Sequence, residues 1–166
     1  MNLRIILADT CVVSDFYKAD SRFFVRLVGT GIELGIVEPV VEDLSVVFPE
    51  LGDAQSARKA GLRVCESQLH EYARLRIGTP LSKYDQLSLY AAQRLGYTLA
   101  TNDKSLRRAC IESGVPVLWG LETLLHLCRE GAVAKSAAES IARSIHQTNP
   151  RWITKSILED FLRQLR

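Results

Sequence analysis

Apolar residues recur along this chain with two different periods, and the switches between them outline its elements. Leu3, Ile5, Ile6, Leu7 and Ala8 form a nearly continuous apolar run, the pattern of a parallel strand buried on both faces. It ends on Asp9-Thr10. Residues Val12 to Tyr17 and Arg22 to Val28 predict a helix or helix pair, with Phe23, Phe24 and Leu27 on the buried side and Gly29 and Gly31 as stops. Ile32 to Val37 is the predicted second strand. Pro39 suits the first turn of a helix, where its missing N–H is no loss, and Val40 to Val47 continues that helix to Phe48-Pro49. The polar, mixed stretch from Ala54 to Leu75 is expected to be mostly helical.

The second half is patterned more sharply. Ser82 opens S-K-Y-D, a capping box, and Leu87, Tyr90, Ala91 and Leu95 follow at helical spacing up to Gly96. "TLATNDKSLRRACIESGVPVLWG", Thr98 to Gly120, reads as strand, turn, helix, glycine stop and strand, a unit whose crossover should be right-handed. A helix with Leu121, Leu124, Leu125 and Cys128 inward should stop at Gly131. Ala134, Ala137, Ala138, Ile141, Ala142 and Ile145 then form a regular apolar stripe, which Asn149-Pro150 breaks. A last helix, Thr154 to Leu165, presents Ile157, Leu158, Phe161, Leu162 and Leu165. Strands alternating with helices predict an α/β fold of three layers, α/β/α, around a central, mostly parallel sheet, with helices added at the C-terminus.

Composition adds bounds rather than identity. With 166 residues, 47% hydrophobic and 24% charged, the chain can bury one sizeable core. Its net charge of +2 neither demands nor excludes a polyanionic partner. Cys11, Cys65, Cys110 and Cys128 are scattered, without a C-x-x-C or a histidine at ligand spacing, and read as reduced thiols. The first apolar run is too short for a signal-peptide core, and no later run reaches the roughly 18 apolar residues of a membrane span. A cytoplasmic protein with no membrane partner is the expectation. His70, His126 and His146 form no triad with a serine or cysteine, and G-x-S-x-G, H-E-x-x-H and a P-loop are missing.

The chemistry lies in the acids. Asp9 follows the first strand, Glu42 and Asp43 lie in the helix after the second, Asp85 is in the first turn of another helix, and Asp103 follows a further strand. In a parallel sheet the strand ends carrying Asp9 and Asp103 share one edge, and helices starting near it can bring Asp43 and Asp85 there. Taken singly, Asp9, Asp85 and Asp103 also read as helix caps, and Glu42 and Asp43 as solvated charge. Together, neighbouring carboxylates about 4 Å apart would repel by about 1 kcal/mol per pair in water and roughly 4 kcal/mol at an effective dielectric of 20. A divalent cation compensates that, and oxygen ligands without cysteine or histidine suit Mg²⁺ or Mn²⁺.

Four segments in order resemble the motifs of PIN-domain nucleases: "ILADTCVVSDF", "PVVEDL", "LSKYDQLSLYAAQRLG" and "TLATNDKSLRRACIESGVPV". The match covers roughly Leu3 to Gly131, and "WGLETLLHLCREGAV" with the helices after it is similar to a bacterial subgroup related to VapC-type toxins. The resemblance implies a nuclease domain over residues 1–131 and a helical extension over 132–166, packed on or next to it. It also implies cleavage of RNA phosphodiesters, with Asp9, Asp43, Asp85 and Asp103 holding Mg²⁺ or Mn²⁺ and with Thr101 and Asn102 as polar support. The second motif departs from the family, which has glutamate before leucine where this chain has Asp43-Leu44 preceded by Glu42; either acid can fill that position.

Metal-assisted in-line hydrolysis without a covalent enzyme intermediate is the expected mechanism. Thr101 would position a carboxylate or the water, and Asn102 would shape the turn. The expected partners are single-stranded RNA, an antitoxin protein and a second copy of the chain. Lys18, Arg22 and Arg26, and Lys104, Arg107 and Arg108, could flank the pocket and hold phosphates, or simply form solvated helix faces. Trp119, near a strand end, has the chemistry to stack on a base, although burial in the core is the simpler expectation. Tyr84 and Tyr90 read as packing residues. A phosphatase of the haloacid dehalogenase type also places an aspartate after its first strand, but needs a second acid where Cys11 stands, and a receiver domain needs an acidic pair that "ADT" lacks. The non-enzyme alternative is a degenerate PIN-like domain that binds RNA or protein without cutting.

Overall fold

A computed structural model describes residues 3–166. Five parallel strands form one sheet in the order β3-β2-β1-β4-β5, with β1 at Arg4–Ala8, β2 at Ile32–Val37, β3 at Arg63–Cys65, β4 at Thr98–Ala100 and β5 at Val117–Leu118. Helices cover the sheet and give an α/β fold of three layers. The order explains the apolar patterning: β1 and β2 have a strand on either side and are buried from Ile6 to Ala8 and throughout Ile32–Val37. Chain order runs outward from β1 to β3 on one side and from β4 to β5 on the other. The switch point between the two directions therefore falls between β1 and β4.

Helices α1 (Thr10–Ala19) and α2 (Phe23–Leu27) connect β1 to β2, and α3 (Glu38–Val47), with Pro39 in its first turn, leaves β2. The helices α4 (Ala54–Lys59) and α5 (Leu69–Ala73) flank β3, and α6 (Lys83–Leu95) precedes β4. Between β4 and β5 runs α7 (Lys104–Glu112), followed beyond β5 by α8 (Gly120–Arg129), α9 (Lys135–Thr148) and α10 (Lys155–Leu165). The alanine stripe is packing: Ala138, Ile141, Ala142 and Ile145 are buried, and α9 lies against α1, α8 and α10. Ile157 departs from its expected inward position and stays 43% exposed. Among the described residues, no helix is long and apolar enough to cross a membrane, and all four cysteines are unpaired.

One expectation is corrected. The stretch Ala54 to Leu75 is not mostly helical: it holds the edge strand β3 between two helices of 6 and 5 residues. Three residues are too few to show an alternating pattern, and what fixes β3 is a partner 30 positions away. Glu33, buried near the start of β2, accepts a hydrogen bond from Arg63 Nε at 2.7 Å, so the edge strand brings the counter-charge that a buried carboxylate needs.

The turn into β3 also has a steric requirement. Gly61 has φ +96°, and a Cβ there would stand 2.3 Å from Val25 N and 2.4 Å from Phe24 C, both backbone atoms of α2. Gly114, with φ +71°, has open space around it. Gly61→Ala is therefore expected to destabilise the fold by roughly 3 kcal/mol or more, combining overpacking with left-handed strain, and Gly114→Ala by about 1–2 kcal/mol from strain alone. Denaturant unfolding of the two variants checks this; equal losses would show that the α2 contact is not tight.

Candidate active site

β1 and β4 are neighbours with Ala8 opposite Ala100, so the next residue of each chain segment emerges at the same carboxyl edge. The Asp9 amide continues the ladder to the Ala100 carbonyl at 3.0 Å. Its side chain then does two jobs. Oδ1 caps α1 by accepting the Val12 N–H at 3.0 Å, and Oδ2 accepts the hydroxyl proton of Thr101, which is fully buried. Thr101 Oγ1 in turn accepts the Asp103 N–H at 3.0 Å, and Asp103 Oδ1 caps α7 through the Leu106 N–H at 2.7 Å. A continuous chain of hydrogen bonds thus runs Asp103, Thr101, Asp9 across the switch point, where ligands of open α/β sheets bind.

The other acids arrive on helices. Asp85 is the third residue of α6, and its Oδ2 accepts the Ser82 N–H at 3.1 Å while Ser82 Oγ accepts the Asp85 N–H, the reciprocal capping box. Asp43, on α3, accepts a hydrogen bond from Thr10 Oγ1 at 2.5 Å, and Thr10 is the residue after Asp9. Glu42 faces elsewhere, toward Tyr84 Oη at 3.1 Å and Lys83 Nζ at 3.6 Å. Of these two acids it is Asp43 that is tied to the segment carrying Asp9.

Their electrostatics are coupled. Burial pushes the Asp9 carboxyl up from 3.8 to about 7; the hydrogen bonds from Thr101 and Val12 oppose this, and the carboxylates of Asp85 and Asp103 reinforce it. Burial likewise raises Asp85, opposed by its Ser82 contacts and reinforced by Asp103 and Asp43. Asp9 is 4% exposed, Asp43 and Asp85 are half-buried, and Asp103 is open to solvent. Among the described residues, no three histidine, cysteine, aspartate or glutamate side chains stand close enough to hold an ion as placed. The donor set fits a hard divalent cation in kind, being carboxylate oxygen throughout. Asp85 Oδ1 and Asp103 Oδ2 accept no hydrogen bond from the described residues.

A further tier was not read from the sequence. Asp15, buried in α1, accepts from Asn102 Nδ2 at 3.3 Å and from Asn149 Nδ2 at 3.4 Å, and burial raises its carboxyl, with the Asn149 contact and Lys18 opposing. Asn102 Oδ1 also accepts the Gly120 N–H at 2.9 Å, so Asn102 joins the two strand ends as well as shaping its turn. The available signal was an acid set among Val12, Val13 and Phe16 on a buried helix face.

The basic candidates divide. Lys18, Arg22 and Arg26 are not brought to the acids: Lys18 lies roughly 13 Å along α1 from Asp9 at about 1.5 Å per residue, and Arg26 pairs with Asp20 at 2.5 Å. Arg108 pairs along its own helix with Glu112 at 3.5 Å. Lys104 follows Asp103 directly. Trp119 is partly buried, not a core residue, and its ring lies 4.4 Å from the Arg107 guanidinium carbon. Tyr84 and Tyr90 pack against the core with their hydroxyls bonded to Glu42 and to the Arg74 carbonyl.

Comparison with protein-family models, curated proteins and solved structures finds no significant match to this chain.

The coupling sets the sign of a pH dependence. Asp9 titrates higher in the folded chain than in the unfolded one, so between about pH 4 and pH 7 folding takes up a proton. Stability is therefore greatest at the low end of that window and falls as pH rises through it. The change attributable to Asp9, from 3.8 to about 7, is at most about 4 kcal/mol. Asp9→Asn, which keeps an N-cap acceptor, should flatten this part of the profile. Thermal melts across pH check this; identical profiles for wild type and variant would show that Asp9 is not the acid responsible.

Proposed function

We propose that the chain is a nuclease that hydrolyses RNA phosphodiester bonds with Mg²⁺ or Mn²⁺ held by Asp9, Asp43, Asp85 and Asp103. The observation that carries this is the coupling of carboxylates from four separate chain segments at the switch-point edge, one of them buried and pushed to about 7. Burial does most to raise the Asp9 and Asp85 carboxyls and the neighbouring acids add to it; acids gathered in this way at a crevice are a pattern that functional sites favour. The ordered resemblance to PIN-domain motifs supplies the substrate class, which the carboxylates alone do not specify.

Such a cation, when bound, neutralises charge on the phosphate and activates water for in-line attack. The chain's own groups prepare the place. Thr101 donates to Asp9 Oδ2 and accepts from the Asp103 backbone amide, so one hydroxyl fixes both the Asp9 side chain and the backbone of the turn that bears Asp103. Thr10 donates to Asp43 Oδ2 and orients that carboxylate. Asn102, held by Asp15 and by the Gly120 amide, keeps the turn bearing Asp103 from swinging away from Asp9. Capping by Asp103 and Asp85 orients each carboxylate toward the edge while leaving one oxygen for a ligand.

The same resemblance carries the proposed setting, a cytoplasmic toxin of a toxin-antitoxin pair with an antitoxin partner, and a second copy of the chain is a further candidate partner. The competing reading is a domain that binds RNA or protein without cutting.

Asp103→Asn separates them, because asparagine still caps α7 while losing the charge. Removing one charge-stabilising group from an active site commonly lowers kcat by about 10²–10³, and a loss of at least ~100-fold is expected here. The assay is cleavage of single-stranded RNA in Mn²⁺, with chelator abolishing wild-type activity. Undiminished cleavage by the variant defeats the assignment, and wild-type protein that binds RNA but never cuts it favours the binding module.

A further inference from the structure

A groove of about 400 Å³ opens beside the acids, lined by Asn102, Lys104, Trp119, Leu125, Trp152 and Phe161. Its size falls within the roughly 300–1,000 Å³ of small-molecule sites. Asn102 and Lys104 are the two sequence neighbours of Asp103, so the groove's mouth adjoins the acidic edge. Both tryptophans of the chain line it.

Trp152 is the unexpected one. Its indole is 62% exposed, yet the loop bearing it is firmly held. Ile153, next to it, is buried, its carbonyl meets His146 Nδ1 at 2.6 Å, and its amide donates to the Asn149 carbonyl at 2.9 Å. Asn149 itself reaches Asp15, the same carboxylate that holds Asn102. A large apolar ring is thus kept in solvent by a loop fixed to the turn of the acidic site. Ile157, 43% exposed, extends the apolar wall on α10.

The groove's lining carries two carboxylates and one ammonium, and the carboxylates are already engaged. Glu122 already accepts the Trp119 backbone N–H at 2.8 Å and faces Arg107 at 3.7 Å. Asp160 is engaged by Arg163 at 3.1 Å and Gln164 at 2.8 Å. Lys104 has no ion-pair partner among the described residues. Guanidinium groups lie over both indoles, Arg107 at 4.4 Å and Arg151 at 5.8 Å from the ring centres. An exposed Trp152 ring beside a half-buried Trp119 ring, with guanidinium groups and an unpaired lysine close by, offers what a base with its phosphate requires.

We infer that this groove is a nucleobase subsite, in which Trp152 and Trp119 stack on a base of single-stranded RNA and Lys104 takes its phosphate. The assignment rests on the nuclease reading for its biological substrate, and its test is separable from that reading. A peptide helix or a second copy of the chain would fill the groove with apolar side chains and leave Lys104 unused.

Titration of the full chain with single-stranded oligoadenylate RNA in chelator, where no cleavage occurs, reads the groove directly, because every tryptophan signal comes from it. Saturable quenching is expected. With a labelled oligonucleotide, anisotropy should show Trp152→Ala and Ile157→Glu binding on the order of tenfold more weakly, and Val28→Ala, exposed ahead of the amino end of β2 at the sheet edge opposite the acids, unchanged. In Mn²⁺, Trp152→Ala should raise KM with little change in kcat. Quenching that survives when Asp103→Asn cleaves undiminished would retain the base subsite while the nuclease reading fell. Wild-type cleavage with unaltered KM in Trp152→Ala, or no quenching at all, overturns the subsite and leaves the nuclease standing. Self-association that Trp152→Ala disperses, without quenching by RNA, overturns it in favour of a protein partner.

Discussion

The contact on which the site depends is the hydrogen bond from Thr101 to Asp9, made by side chains 92 positions apart. It exists because β1 and β4 are adjacent, parallel and in a register that places Ala8 opposite Ala100. A one-residue slip would turn Thr101 to the other face and break the link. The sheet order therefore does more than organise the core. It brings two βα turns together at the one place where chain direction reverses, and leaves a crevice there between helices that diverge.

Capping and ligand chemistry are not rival explanations of the acids. An N-cap carboxylate must stand just beyond a strand's end with its oxygens toward the first turn of the helix, which is also where the crevice lies. Asp9, Asp85 and Asp103 each satisfy helix N–H groups, and each cap is worth about 1 kcal/mol. What capping leaves unexplained is proximity. Three caps at separate helices would stabilise equally well far apart, and the acids beside Asp9 and Asp85 would then not add to the upward push that burial gives those two carboxyls.

Most of the fold was legible because most of its elements are periodic over enough residues. The long helices α6, α9 and α10 and the buried strands β1 and β2 follow their hydrophobic spacing closely. β3 was hidden since it is short, lies at the edge and is fixed by the Glu33 and Arg63 pair, a contact with no local signature. The acidic positions were legible as strand-end and cap residues. Which basic residues accompany them was not, because Lys18, Arg22 and Arg26 are near Asp9 in sequence while α1, capped by Asp9, runs away from the acidic edge with Lys18 in its last turn and Arg22 and Arg26 beyond it. Asp15 was missed for the opposite reason: its partners Asn102 and Asn149 come from distant loops.

Asp15 also shows how the C-terminal helices bear on the chemistry. A buried carboxylate that meets only two amide N–H groups, at 3.3 and 3.4 Å, is a poor source of stability, since burial raises its carboxyl and neither contact is short. An apolar side chain would pack the same helix face at less cost. The two amides differ in origin, however: Asn102 belongs to the turn bearing Asp103, and Asn149 to the loop after α9 that bears Trp152. One carboxylate accepting from both holds those segments in register with each other, something shape alone would do loosely. The geometric requirement is between the acidic edge and the indole groove, and a polar group is retained in the core because it can satisfy both sides at once.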